Sequence, residues 1–228
     1  MRKLVLFDID GTLVLTGGAG LRAMNRALKR VFGHDDGLNG IPLAGRTDWA
    51  ILSDAVAGVG RRLDPDLLET LRRAYVENLA IEIENPGRGP KAVMPGVREL
   101  LDDLSARDDV FVGLLTGNFE EGARIKLAHF DLWHYFACGA YGGDAADRNA
   151  LVPFAVERAR AGGLPEIAAH DVIVVGDTPH DVSCAEAAGA VAVAVATGGH
   201  SVEQLLQTGA DLVLPDLSDR GTFIQLLD

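Results

Sequence analysis

Five short runs dominated by Val, Leu and Ile interrupt the chain at residues 3–7, 110–115, 172–175, 191–195 and 211–214. They lack the polar alternation of a strand with one wet face, so they predict strands of a parallel sheet buried on both sides. Between them, residues 96–105, 119–129, 151–161, 179–188 and 201–207 place apolar side chains three and four apart, with Gly or Pro at many ends, which predicts helices. Strand and helix alternating in this way predict an α/β fold, a doubly wound parallel sheet covered on both faces.

Residues 15–91 break the alternation. They carry only helical patterns, at 20–32, 47–56 and 64–84, and predict a small helical unit inserted into a core formed by residues 1–14 and 92–228. Gly17-Gly18 leads out of the core and Asn85-Pro86-Gly87-Arg88-Gly89-Pro90 leads back, two turn-forming connections suited to hinges.

Charge removes one class of partner. The 33 acidic and 21 basic residues among 228 give a net charge of −12, which repels a phosphate backbone and argues against nucleic acid. No apolar stretch approaches the roughly 18–20 residues that cross a bilayer, and Asp8 and Asp10 interrupt the first apolar run before it could serve as a signal peptide. Neither membrane association nor secretion is expected. Cys138 and Cys184 stand far apart without metal-like spacing, among small or apolar neighbours, which predicts buried thiols in a reducing cytoplasm.

Candidate chemistry concentrates where apolar runs end. Asp8-Ile9-Asp10-Gly11-Thr12 follows the first run, and Gly176-Asp177-Thr178-Pro179-His180-Asp181 follows the third. A turn or a cap would account for either aspartate of the first pair alone, but a carboxylate straight after a buried strand is costly without a partner. If the two strands lie side by side, Asp8, Asp10, Asp177 and Asp181 crowd the crevice beyond their carboxyl ends, where α/β sheets bind ligands. Such crowding calls for a cation, and an all-oxygen set without a His/Cys cluster suits Mg2+ better than zinc. Thr116-Gly117-Asn118 ends another run just before a helix, where exposed amides favour an anion and where Thr116 would equally serve as an N-cap.

Taken together, Asp8-x-Asp10-Gly11-Thr12, the strand-end Thr116, a basic residue and Gly176-Asp177-x-x-x-Asp181 resemble the ordered motifs of the haloacid dehalogenase-like superfamily, and within it the phosphoglycolate phosphatases. The resemblance covers essentially the whole chain and implies a Rossmann-like core with a small helical cap at residues 15–91. It implies that Asp8 is the nucleophile and Asp10 the general acid, then the base. It further implies Mg2+ ligation by Asp8 and Asp177 with the Asp10 carbonyl facing the ion, while Asp181 supports metal waters or the basic residue. Thr116 and the N–H groups of Gly117 and Asn118 would hold phosphoryl oxygens.

The family usually has a lysine as its third motif. Here Arg148, just before the helix at 151–161, is expected to take that role, since a guanidinium can hold phosphate and carboxylate bidentately. Lys126 is the rival, expected to be a solvated residue of the helix at 119–129 whose removal is nearly silent. Arg46 either contacts substrate or is solvated beside a Thr47 or Asp48 cap, and His180 is expected at the surface of a first helical turn. The expected function is a Mg2+-dependent phosphatase acting on a small phosphorylated metabolite, phosphoglycolate-like or a sugar phosphate, through an aspartyl phosphate, as a monomer or homodimer. A phosphomutase of the same superfamily and a silent phosphate-binding regulator are the alternatives. A dehalogenase fits less well, because that family lacks the second aspartate that Asp10 supplies.

Overall fold

The computed structural model describes residues 2–33, 35 and 37–228. The chain runs through β1 (Lys3–Phe7), β2 (Val14–Thr16), α1 (Ala19–Phe32), α2 (Asp48–Gly58), α3 (Pro65–Glu82), β3 (Lys91–Val93), α4 (Val97–Ser105), β4 (Val110–Leu115) and α5 (Glu120–His129). It continues through β5 (Cys138–Ala140), α6 (Leu151–Ala161), β6 (Val172–Gly176), α7 (Pro179–Ala188), β7 (Val191–Val195), α8 (Val202–Leu205), β8 (Leu212–Leu214) and α9 (Arg220–Gln225). Six strands form one parallel sheet in the order β5-β4-β1-β6-β7-β8, the doubly wound arrangement that the pattern predicts.

The first strand shows why the apolar runs are continuous. Val5 and Phe7 enter one core, with Leu100 and Leu101 of α4 and Leu127 of α5, while Leu4 and Leu6 enter the opposite core with Leu151 of α6 and Val182 of α7. Both faces are dry, so no position alternates with solvent. Each of these side chains is fully buried, worth about 1.5–3 kcal/mol apiece, and a slip of register would leave Lys3 or Asp8 in their place.

Chain order reverses at β1, with β4 on one side and β6 on the other. The carboxyl ends of β1 and β6 are therefore neighbours, paired Phe7 to Val175, and the two acidic strand ends meet.

Helices α1, α2 and α3 bury Met24, Leu28, Leu52, Leu71 and Tyr75 in a third core, completed by Phe119 from the turn before α5. The antiparallel pair β2 and β3 brings the outgoing and returning connections together, and Gly17 N donates to Pro90 O at 2.9 Å. A Cβ on Gly87 would lie 2.3 Å from Gly17 O, so the crossing tolerates no side chain there.

The apolar pattern does not predict β2, β3, β5 or α9. Each of the three strands is only three residues long, too short for a period to register, and β5 is the small-residue run Cys-Gly-Ala. The helix expected at 201–207 shortens to α8, a single turn closed by a Ser201–Gln204 capping box and followed by Gly209 at positive φ. Among the described residues no helix is long and apolar enough to cross a membrane.

Candidate active site

Asp8 follows β1 directly, and its backbone N–H donates to Val175 O of β6 at 2.9 Å. Its side chain gathers with Asp177 and Asp181, each offering an oxygen within 4.8 Å of the others. All three are buried, with Asp8 only 5% exposed. Asp177 is wedged between two glycines: a Cβ on Gly11 would lie 2.6 Å from Asp177 Oδ2, and one on Gly198 only 1.7 Å away. Gly11 also has φ of +87°, so the turn after Asp10 needs glycine on both counts. Thr12 completes the motif by donating from Oγ1 to Asp177 Oδ1 at 3.2 Å.

Arg148 faces these carboxylates from the turn Arg148–Ala150 ahead of α6 and is buried. Its Nη2 reaches Asp8 Oδ1 at 3.1 Å, Leu115 O at 3.3 Å and, more closely, Asp181 Oδ1. One nitrogen makes all three contacts, in place of a two-nitrogen fork, while Nε is buried without a partner. Burial opposes the charge of Arg148, but Asp181 and Asp8 outweigh it and hold the guanidinium above its ordinary pKa. Asp181 Oδ2 accepts from Thr178 N at 3.0 Å, one half of the capping box of α7, and also from Thr178 Oγ1 at 2.7 Å. Both oxygens of Asp181 are thus engaged, which leaves Asp8 and Asp177 as the carboxylates with an oxygen to spare.

One guanidinium among three buried carboxylates leaves net negative charge. Burial, then repulsion from Asp181 and Asp10 working against the pull of Arg148, pushes Asp8 up to about 6. Burial followed by Asp8 and Asp181 pushes Asp177 up to about 8. An all-oxygen pocket with surplus negative charge fits a hard divalent cation such as Mg2+.

The same shifts predict how metal-free protein responds to pH. Folded Asp177 keeps its proton up to about 8, whereas its ordinary value is 3.8, so between those limits the folded state binds more protons than the unfolded one. Stability therefore falls as pH rises through this window, by up to about 1.4 kcal/mol per pH unit from this group. Asp8 adds to the slope only up to about 6. In excess EDTA the Tm should be lower at about pH 8 than at about pH 6.5, and Mg2+ should raise it more at the higher pH. A Tm that climbs over that interval in EDTA would contradict the assignment.

Asp10 lines the same cavity from the other side, with its side chain 45% exposed. Its Oδ2 accepts from Lys126 Nζ at 2.6 Å and from Asn118 Nδ2 at 2.8 Å, and Lys126 Nζ also donates to Asn118 Oδ1 at 2.6 Å. Asn118 Nδ2 further donates to Thr116 Oγ1 at 2.8 Å. Thr116 is fully buried at the end of β4, and Gly117 and Asn118 form the cavity wall in front of it.

The expectation of a solvated Lys126 is overturned. The residue is 4% exposed and lies on the buried face of α5 with Gly122, Ala123 and Leu127. A buried lysine requires a counter-charge, and β1 supplies one by delivering Asp10.

The helical residues close the cavity. Thr47 caps α2, accepting from Ala50 N at 3.1 Å while its hydroxyl donates to Ala146 O at 2.7 Å. Asp48 N donates to Gly117 O at 2.7 Å, and Asp48 Oδ2 accepts from Phe119 N at 2.9 Å. Burial pushes the Asp48 carboxyl up to about 6 against the pull of Lys126. Arg46 lines the cavity, yet its guanidinium is held by Asp54 Oδ2 at 2.8 Å and Pro42 O at 3.2 Å. His180 is exposed in the first turn of α7. The cavity volume is about 530 Å³, with Asp8, Asp10, Asp177 and Arg148 on one wall and Leu21, Met24, Leu43, Ile51 and Tyr75 on the other. Asp48 and Tyr75 escape a reading of the sequence, because one is spelled like a helix cap and the other like a core aromatic.

The model of the haloacid dehalogenase-like hydrolase family matches residues 5–186. A phosphoglycolate phosphatase of Rhodospirillum rubrum is 32% identical over an alignment of 237 positions that covers 98% of this chain and 91% of that protein. Two solved structures share the fold: CbbY from Rhodobacter sphaeroides in complex with phosphate, and a hydrolase from Pseudomonas syringae. The first has a TM-score of 0.69 at 18% identity over 97% of both chains. The second has a TM-score of 0.67 at 21% identity over 99% of this chain and 98% of its own. The chain belongs to the haloacid dehalogenase-like hydrolases. Within that family it is phosphoglycolate phosphatase-like, a phosphatase in the broad sense of a phosphoric monoester hydrolase.

Proposed function

We propose that this phosphatase hydrolyses a small phosphorylated metabolite, phosphoglycolate-like or a sugar phosphate, in a Mg2+-dependent reaction that passes through a phosphoryl group on Asp8. The observation that supports this most is the setting of Asp8, a buried carboxylate with Oδ1 on Arg148, in a cavity it shares with Asp10. Mg2+ held by Asp8 and Asp177 would offset the negative charge gathered around the phosphoryl group.

Asp8 attacks phosphorus while Asp10 gives its proton to the departing oxygen. The ionised Asp10 then takes a proton from the water that attacks the aspartyl phosphate, so that inorganic phosphate leaves and Asp8 is regenerated. Arg148 and the backbone at Gly117 and Asn118 hold the phosphoryl oxygens as charge spreads over them. In this reading residues 1–14 and 92–228 are the catalytic core, and residues 15–91 form a lid that excludes water and selects the leaving group. A cavity of about 530 Å³ walled by residues of the inserted helices favours a small metabolite over a phosphoprotein.

The test is phosphate release across a panel of phosphorylated metabolites, measured with Mg2+, after chelation, and after the ion is restored. Turnover should vanish in EDTA and return with Mg2+. Full activity in excess chelator would remove the metal from the reaction, and isomer conversion without net phosphate would replace hydrolysis with mutase chemistry.

A further inference from the structure

The buried Lys126 stands outside the roles assigned so far, and its contacts are specific. Asp10 is nearly half exposed at its side chain, so nothing in its own packing fixes the carboxylate in one rotamer. Lys126 Nζ at 2.6 Å and Asn118 Nδ2 at 2.8 Å both grip Oδ2, and neither uses Oδ1. Asn118 is in turn tied to Thr116 Oγ1, at the rigid end of β4. The lysine is held from two directions besides. The Asp48 carboxylate, fixed by Phe119 N, attracts it from the helical side. The first turn of α1 is narrowed at Gly20, where a Cβ would lie 3.4 Å from Lys126 Nζ. Two of the four groups named around the ammonium, Asp48 and Gly20, therefore belong to the inserted helices.

We propose that Lys126, with Asn118, is a positioning residue that fixes the Asp10 carboxyl for proton transfer to the leaving oxygen, and that it is locked in place only when residues 15–91 are docked. The inference rests on the assignment of Asp10 as the acid. Lys126 transfers no proton itself: the P–O bond to the leaving group breaks, the departing oxygen takes the proton from Asp10, and the phosphoryl group passes to Asp8. Docking of the helices then does more than exclude water, because it completes the clamp on the acid.

Loss of a positioned acid is felt most by poor leaving groups. An alkoxide must be protonated as it departs, whereas p-nitrophenolate departs readily without help. The value of kcat/KM, which reports phosphoryl transfer to the enzyme, separates this step from the later hydrolysis of the aspartyl phosphate. Lys126→Met should lower kcat/KM about a hundredfold for the alkyl phosphate that wild type turns over fastest, and less than about tenfold for p-nitrophenyl phosphate. Lys126→Arg should recover part of the alkyl activity by restoring a donor to Asp10. Asn118→Ala leaves the lysine in place and should show the same selective loss on a smaller scale, which decides the matter should Lys126→Met fail to fold. Equal losses on both esters, or near-wild-type alkyl activity in Lys126→Met, would overturn the proposal. If wild type itself releases no phosphate from any alkyl ester, the assignment of Asp10 as acid falls first.

Discussion

Asp8→Asn should abolish phosphate release and leave the fold intact. The amide keeps the shape of the carboxylate but cannot form an acyl phosphate, so turnover should drop by roughly a thousandfold or more, as expected for removal of a nucleophile. Stability should move the other way. Burial already pushes the Asp8 carboxyl up to about 6, so near neutral pH the fold carries a charge it disfavours, and a neutral amide relieves that cost. The metal-free Tm should hold or rise, while the increment produced by Mg2+ should shrink because one carboxylate has lost its charge. Acid quenching during turnover of a phosphate-labelled ester should trap label on wild type and none on the variant. Activity within about tenfold of wild type, only ~1.4 kcal/mol of barrier, would exclude Asp8 as nucleophile.

What the sequence discloses of this site, and what it hides, follows from how each residue reaches the cavity. Asp8 and Asp177 are legible because they interrupt apolar runs, and a charge at the end of a doubly buried strand has few structural explanations. Their juxtaposition depends on β1 lying beside β6, which strand–helix alternation suggests but only the sheet order shows. Lys126 is misjudged on residue type, although the helical period argued otherwise. It falls three residues after Ala123 and beside Leu127, on the face that α5 buries. The missing term is long-range: Asp10 is 116 positions away in sequence, and no local pattern announces that it neutralises the lysine. Asp48 is hidden for the same reason, since its N–H and carboxylate both bond across to the Gly117–Phe119 turn. The small β5 strand was invisible in a different sense. Gly139 is there because a Cβ would come within 2.8 Å of the Tyr141 hydroxyl and 3.0 Å of Leu114, a packing demand and not a strand propensity.

Arg148→Ala should lower phosphate release by roughly a hundredfold or more, the usual loss when one preorganised electrostatic partner of a transition state is removed. The structure adds an expectation about stability that separates this residue from a purely catalytic one. Arg148 Nη2 is the shared cation of Asp8 and Asp181, all three buried, and breaking such a pair from one side typically costs about 3–5 kcal/mol. The variant should therefore unfold at clearly lower temperature near neutral pH in EDTA. Mild acidification should recover part of the loss, because the orphaned carboxylates then bind protons and shed their charge. Arg148→Lys should rescue more than an arginine fork would allow. All the contacts of Arg148 to Asp8, Asp181 and Leu115 pass through one nitrogen, which a point-like ammonium imitates better than it imitates a bidentate grip. Steady-state phosphate release, assayed well below the Tm of each variant, keeps the catalytic loss apart from the folding loss. Arg148→Ala with turnover within threefold of wild type would remove the guanidinium from phosphoryl binding. An unchanged Tm alongside it would show that the aspartate cluster does not depend on Arg148 for its charge balance.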